Sequence, residues 1–362
     1  MAITLENMNP LQVPTWSWLR INSLSLEFME DGPSAYRKEA KITLPEGVQI
    51  DNIFIGAETK AIPDSVKRNY EFISDNYNSA LALTIPEGAL PDTPIIIEYS
   101  LDEENRLLKD YIHIKAEKDS DATVIIKYSG NTKEEAFHFG FTLLEAEKNA
   151  KIKIIKLQML PETATHVDAV AVQAREKAFV NILLNELGSG KTAGACDVLL
   201  NSEQSSAHLD GIYIGKNKKE MDLNYRIAFG AKETEGKITV RGALADSSKK
   251  TLKSTLDFIT GATGAKGSEE ETVLALSDKA VNLSAPLLLC GEDNVEGQHA
   301  TSTGRPDSDK LHYLMCRGFG RREAEQLLVE ASFTPLLNKI EIPEIREEIT
   351  QYIGASIYGK SI

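Results

Sequence analysis

From Thr123 onward the chain alternates apolar or alternating runs, rich in Val, Ile, Leu, Phe and Tyr, with polar or Gly-bearing breaks. The runs are TVIIKY from Thr123, FHFGFTL from Phe137, KIKIIKLQM from Lys151, HVDAVAVQA from His166, AFVNILL from Ala178 and ACDVLL from Ala195. They continue with HLDGIYI from His208, DLNYRIAF from Asp222, KITVRGAL from Lys237, LKSTLDF from Leu252, TVLAL from Thr272 and PLLLC from Pro286. Starts recur most often about every 14–15 residues, an even spacing that predicts strands in an all-β or solenoid array. No helix-period run of useful length separates them, so the crossover helices of a doubly wound α/β sheet have no room. A sandwich would want hairpin turns between neighbouring strands. Asp210-Gly211 is the only such pair in the array, and it lies inside a strand-like run. The pattern therefore favours a mainly β fold in which coils stack as a parallel β-helix and bury a continuous apolar interior.

The flanks differ. Residues 1–35 carry an aromatic cluster, Pro14-Thr15-Trp16-Ser17-Trp18-Leu19, suited to docking a terminus on a larger body. Residues 36 to 118 contain β-like pieces with Pro-Glu-Gly breaks at Pro45 and Pro86, which read as the first, less regular coils. The β-helix is expected to extend to residue 305, with a helical domain over 306–362. There Asp307 or Ser308 can cap a helix that Gly318 ends, Gly320 opens a second helical run, and Pro343 precedes a third. A solenoid ends in unpaired strand edges. The helical unit is expected to cover them and to offer a partner surface.

Charge narrows the function classes. The 362 residues hold 54 acidic and 40 basic side chains, a net charge of −14, with no long Lys/Arg run. Nucleic-acid phosphate and anionic lipid are thus unfavourable partners. Cys196, Cys290 and Cys316 are too scattered for a disulfide framework, and none sits in a CxxC pair. The N-terminus lacks the pattern of a signal peptide and no apolar run approaches the roughly 20 residues of a membrane helix, so a cytoplasmic location is expected.

Few side chains point to chemistry. GSGKT (Gly188 to Thr192) looks like the end of a phosphate loop, but Asn185 stands where the first Gly belongs and a strand-like run follows instead of a helix. A turn between coils is the better reading, as it is for GATGAKG (Gly261 to Gly267). His113, His138, His166 and His208 fall in strand-like runs and read as hydrogen-bonded structural groups. His299 differs: it sits in GEDNVEGQHATSTG, a polar, Gly-flanked stretch beside Glu292, Asp293 and Glu296, read as a loop where a titratable side chain can handle protons or metal. Cys290 ends an apolar strand and is a weaker ligand candidate. Cys196 and Cys316 read as packing. No Ser-His-Asp ordering, HExxH or spaced carboxylate pair stands out.

The C-terminal third, ETVLALSDKAVNLSAPLLLCGEDNVEGQHATSTGRPDSDKLHYLMCRGFGRREAEQLLVEASFTPLL, resembles the SufB/SufD family of iron–sulfur cluster assembly proteins. The likeness rests on Leu274, Leu276, Ser277, Ala280, Pro286, Asp293, Val295, His299, Ala300, Thr301, Leu311, Tyr313, Leu314, Arg317, Gly318, Glu323 and Ala324. It reaches back more weakly to TWSWLRIN, which looks like the opening of SufD-type chains. The resemblance implies a right-handed parallel β-helix with a small N-terminal region and a C-terminal helical domain. It implies a non-enzymatic scaffold that pairs with a SufB-type chain through its β-helix and docks a SufC-type ABC ATPase, here by Leu311, Tyr313, Leu314, Arg317, Gly318, Leu327 and Leu328. No cofactor held stably by this chain alone is expected, only a transient iron–sulfur cluster at the subunit interface.

Two positions favour the SufD type. The SufB scaffold cysteine aligns with Ala280, and the SufB glutamate aligns with His299, where SufD-type chains also carry His. SufD-type chains usually have Cys two residues earlier, and this chain has Gly297, which leaves His299 as the best ligand candidate. The alternative is a SufB-type homodimer working with the ATPase alone. From another class, a β-helix polysaccharide lyase would need secretion and Asp or Glu ligands on successive coils, and the sequence offers neither.

Overall fold

The computed structural model describes residues 2–14, 21–29, 36–52 and 62–358. A short antiparallel pair, β1 (Ala2–Met8) and β2 (Leu24–Met29), precedes the solenoid. Then come β3 (Lys41–Thr43), β4 (Gln49–Asn52), helix α1 (Lys67–Asn76), β5 (Ser79–Ile85), β6 (Ile95–Leu101), β7 (Leu107–Ala116) and β8 (Asp121–Gly130). The chain continues through β9 (Ala136–Ala146), β10 (Lys151–Met159), β11 (Ala164–Ala174), β12 (Phe179–Glu186), β13 (Lys191–Leu200) and β14 (Ser206–Gly215). It ends in β15 (Glu220–Phe229), β16 (Glu235–Leu244), β17 (Lys249–Phe258), β18 (Lys266–Ala275), β19 (Val281–Cys290) and β20 (Glu296–Gly304), followed by helices α2 (Ser308–Cys316), α3 (Arg321–Leu337) and α4 (Pro343–Tyr358).

Strands β5 to β20 pair in parallel with the strand two places away, never with the next in sequence. Two nine-stranded sheets result, one ordered β20-β18-β16-β14-β12-β10-β8-β6-β3 and the other β19-β17-β15-β13-β11-β9-β7-β5-β4. This is the expected β-solenoid, of about eight turns. Each coil uses one strand of each sheet, so the apolar runs recur at half the coil length. Only β3 and β4 pair antiparallel with the stack.

Three apolar layers explain why the runs are nearly continuous. One set of side chains fills the interior, including Ile97, Val124, Ile154, Ile182, Leu209, Val240 and, opposite, Val170, Val198, Leu223 and Leu256. The outer face of the even sheet carries Ile125, Ile155, Leu183 and Ile212, covered by Val329, Phe333, Leu336, Ile345, Ile349 and Ile353 of α3 and α4. The outer face of the odd sheet packs Phe139, Phe141 and Ala169 against Met8, Tyr70 and Ile73. Strands buried on both faces lose the simple alternation of a half-exposed sheet.

The corners run without a glycine in most coils. Asp119, Asn149, Lys177, Gln204 and Glu233 each adopt a left-handed conformation, and Gly264 takes the same place one coil later. Each donates its backbone N–H to the following coil: Asp119 to Lys148 O, Asn149 to Glu176 O, Lys177 to Glu203 O, Gln204 to Lys232 O, Glu233 to Thr263 O and Gly264 to Asn294 O. Stacked hydrogen bonds offset the roughly 1 kcal/mol or more that a non-glycine residue loses there. GATGAKG is therefore a turn, as its sequence suggests.

Three expectations change. Residues 67–76, within the region read as irregular coils, form helix α1, whose Tyr70 and Ile73 anchor it to the odd sheet. The aromatic cluster from Thr15 to Leu19 lies outside the described residues. Among the described residues the N-terminal segment docks at Asn9, whose amide donates to Gly194 O and Asp222 O, and at Leu11 and Ile21 beside Ala285. The stretch read as a loop around His299 contains a strand, β20, because its alternating Gly297, His299, Thr301 and Thr303 continue the register of β18. The C-terminal helices also do not close the solenoid. α3 and α4 lie along the even sheet's outer face, where a two-sided apolar strip demands cover, and among the described residues no strand or helix pairs with the outer edges of β19 and β20.

Candidate functional site

The open end forms a mouth between the last two strands. In β18, Gly267, Glu269, Glu271 and Val273 face the interior while Ser268, Glu270 and Thr272 are half-exposed. Parallel in-register pairing puts Gly297 over Gly267, His299 over Glu269, Thr301 over Glu271 and Thr303 over Val273. These β20 residues therefore face the interior as well. A Cβ at Gly297 would meet Leu288 and Phe258, two interior side chains, which fixes the same orientation independently. His299 is exposed because no further coil covers it.

Cys290, at the end of β19, is exposed and lies in register over Phe258, so it opens on the same mouth. Cys316 is also exposed, contrary to a packing role: it ends α2, a helix with no buried residue, with its Sγ 3.5 Å from His312 Nε2. Cys196 is buried inside the coil, where burial pushes its thiol well up.

Behind the mouth the interior holds charge. Glu271 Oε1 accepts from Lys250 Nζ at 2.5 Å and Tyr213 Oη at 3.0 Å, and its Oε2 accepts from Ser284 Oγ at 2.6 Å. Glu269 Oε1 accepts from Ser254 Oγ at 3.1 Å, but its buried Oε2 has no partner. Burial pushes the Glu269 carboxyl up to about 7. Sequence reading passed over this pair. The signal was there in EEE, since residues 269 and 271 share the inward phase of Val273.

A second buried chain lies deeper. His138 Nε2 is 2.5 Å from Asp110 Oδ1, and His138 Nδ1 is 2.7 Å from His166 Nδ1. With His138 Nε2 donating to Asp110, its Nδ1 accepts from His166, and His166 Nε2 lies 3.6 Å from Glu186 Oε2. Lys156 Nζ pairs with Asp168 at 2.7 Å beside it. Burial lowers the His166 imidazole well below its usual value and raises the Glu186 carboxyl. Both histidines are structural hydrogen-bonded groups, as their strand positions suggest.

GSGKT is a turn. Ser189 is left-handed, Lys191 and Thr192 open β13, and Gly188 packs so closely that a Cβ would sit 2.3 Å from Leu160 O. No helix follows to hold phosphate.

The helical unit presents a separate surface. Asp307 caps α2 by accepting from the N–H groups of Asp309 and Lys310, and Glu323 reaches back to the Gly320 N–H at the start of α3. Gly318 is left-handed between them. Tyr313 is 58% exposed, and the Arg317 guanidinium lies 5.2 Å from its ring centre. Leu327 is exposed, while Leu311, Leu314 and Leu328 are half-buried. Met315 and Phe319, absent from the expected set, are exposed too and enlarge the apolar patch.

The SUF-system iron–sulfur cluster assembly family defined by the SufBD core domain matches residues 99–332, which take in strands β7 to β20 of the solenoid together with α2 and most of α3. The chain belongs to the SufB/SufD family. SufD of Bacillus subtilis (strain 168) is 25% identical over 283 residues, covering 77% of this chain and 64% of that protein. A SufBD family protein of Pyrococcus horikoshii is 26% identical over 292 residues, covering 78% of this chain and 63% of the relative. SufB of Bacillus subtilis is 18% identical over 310 residues, covering 85% and 66%. The matched region thus spans under two thirds of these relatives' lengths, and SufD is the better match of the two Bacillus paralogues. Among the described residues no helix is long and apolar enough to cross a membrane. No group of three or more His, Cys, Asp or Glu side chains among them is arranged to hold a metal ion.

Proposed function

We propose that this chain is a SufD-like, non-enzymatic scaffold subunit of the cytoplasmic SUF machinery. The observation that carries the reading is that, among the described residues, the outer edge of β20, the strand that bears His299, is unpaired, as is that of β19 beside it. Free N–H and C=O groups on two adjacent edges invite strands of a second, similar solenoid, which a SufB-type paralogue of the same fold would supply. Pairing there would bring the partner's thiolates to His299, so a nascent cluster would form across the interface and be held only in passing. Imidazole beside thiolates raises a cluster's potential.

The exposed Tyr313, Met315, Phe319 and Leu327, with Arg317, suit docking of a SufC-type ABC ATPase. Nucleotide would then be bound by that partner. Anaerobic co-expression with a SufB-type chain and SufC tests the reading, and a stable complex containing all three chains is expected. Failure of this chain to co-purify with either would refute it. A self-paired dimer that assembles a stable cluster without any paralogue would instead favour the SufB-type alternative.

A further inference from the structure

Helix α2 carries a nucleophile and a base side by side, well away from the mouth. Cys316 and His312 stand one turn apart on one face of the helix, both exposed, with Sγ 3.5 Å from Nε2. That contact lets the imidazole accept the thiol proton when the ring's own proton sits on Nδ1. The other two thiols differ. Cys196 is buried, and Cys290 is exposed without a histidine in hydrogen-bond contact among the described residues. Because α2 has no buried residue, nothing in the chain itself keeps a small molecule from Cys316. The C-terminal end of a helix disfavours a bare thiolate, so an imidazolium in contact with the sulfur, with Arg317 as the next residue, is what makes the anion accessible here.

We propose that Cys316 is a thiol–disulfide exchange site, with His312 as its base, at which a small disulfide such as oxidised glutathione caps the thiol. His312 Nε2 takes the thiol proton, and the thiolate attacks one sulfur of the disulfide. A new S–S bond forms at Cys316 Sγ as the old one breaks, and the departing sulfur leaves as a thiolate that takes the proton from the imidazolium. Cys316 is oxidised, half of the small disulfide is reduced to a thiol, and no further oxidant is needed. Exposed Tyr313 and Met315 stand on the same short helix, so the cap would cover part of the apolar patch. Docking of the ATPase would then stop until a second thiol removes the cap. This consequence rests on the docking reading given above, whereas the exchange itself does not.

The test exposes the purified, reduced full chain to oxidised glutathione and follows each cysteine separately by peptide mass mapping over time. Cys316 should be capped at least about tenfold faster than Cys290, while Cys196 stays free. His312→Gln, a polar side chain that is not a base, should slow capping of Cys316 at least about tenfold and leave the rate at Cys290 unchanged. The capped chain should fail to retain SufC in a pull-down, a reducing thiol should restore retention, and Cys316→Ser should retain SufC with or without the disulfide. Equal rates at Cys316 and Cys290, or an undiminished rate at Cys316 in His312→Gln, would overturn the exchange site. Fast capping that leaves SufC binding intact would overturn the control of docking alone. A chain that is capped as expected yet binds no SufC in either state supports the exchange site and refutes the docking reading instead.

Discussion

Lys339, just beyond α3, donates to both carboxylate oxygens of Asp210 at 2.8 and 2.7 Å, and Asp210 is almost wholly buried in β14. The pair ties the helical unit to the middle of the even sheet instead of its end. Lys339→Ala strands a buried carboxylate. With Lys339 itself partly exposed, the expected loss is roughly 1–3 kcal/mol. Hydrogen exchange should show α3 and α4 opening first, with the solenoid strands still protected. Unaltered protection in those helices would mean that the apolar contacts of Phe333 and Ile349 hold them alone.

Leu314→Asp should abolish co-purification with SufC while changing stability little, since Leu314 is only half-buried on a helix without buried residues. Phe333→Ala, in the covered layer of α3, should by contrast cost about 3–5 kcal/mol. Thermal melts and pull-downs on the two variants separate surface from core. Continued co-elution of Leu314→Asp with the ATPase would show that docking occurs elsewhere.

His299→Ala should leave folding and ATPase docking intact, because the side chain is exposed and covers nothing. Anaerobic reconstitution of the complex should yield less cluster. Iron and sulfide content equal to wild type would remove His299 from the ligand set.

The buried His166 sets a pH dependence. Its folded imidazole is driven below the ordinary value of about 6.5, chiefly by burial and next by His138 and Lys156, so the unfolded chain binds more protons. Stability is therefore full above pH 6.5 and falls as pH drops below it, by up to about 1.4 kcal/mol per unit for this one group. Urea midpoints at pH 7.5 and 5.5 should differ, and His166→Gln should narrow the gap. An equal gap in the variant would assign the effect to other groups.

The GSGKT turn separates two chemistries. Gly188→Ala drives a methyl into the Leu160 carbonyl and should destabilise by about 2 kcal/mol or more. Lys191→Ala, at an exposed strand start, should stay within about 0.5 kcal/mol. A phosphate loop would show the opposite ranking in function, with Lys191 indispensable.

Most of the solenoid was legible because each apolar run is a strand: KIKIIKLQM coincides with β10, and HLDGIYI lies inside β14. Asp210-Gly211 misleads as a hairpin signal, and its place inside a run was the clue that no hairpin forms. Strand β20 was not legible because its inward positions are Gly297, His299, Thr301 and Thr303, polar or small where earlier coils carry Ile and Val. The direction in which the C-terminal helices fold back was hidden for a related reason. Ile125, Ile155 and Ile212 sit on outward positions, yet a one-dimensional pattern does not say whether a helix or a partner covers them. Glu269 was missed because a run of three glutamates reads as a solvated face until strand phase is known.

The in-register stacking also makes the rod a ruler. In the strand ladders every coil pairs only with the coils beside it. A whole coil could be duplicated or deleted in the middle of the stack and the mouth would keep its geometry, at a different distance from the helices anchored on Asp210. A single residue inserted within β18 or β20 would do the reverse, turning Glu269 or His299 to the opposite face without altering the length at all.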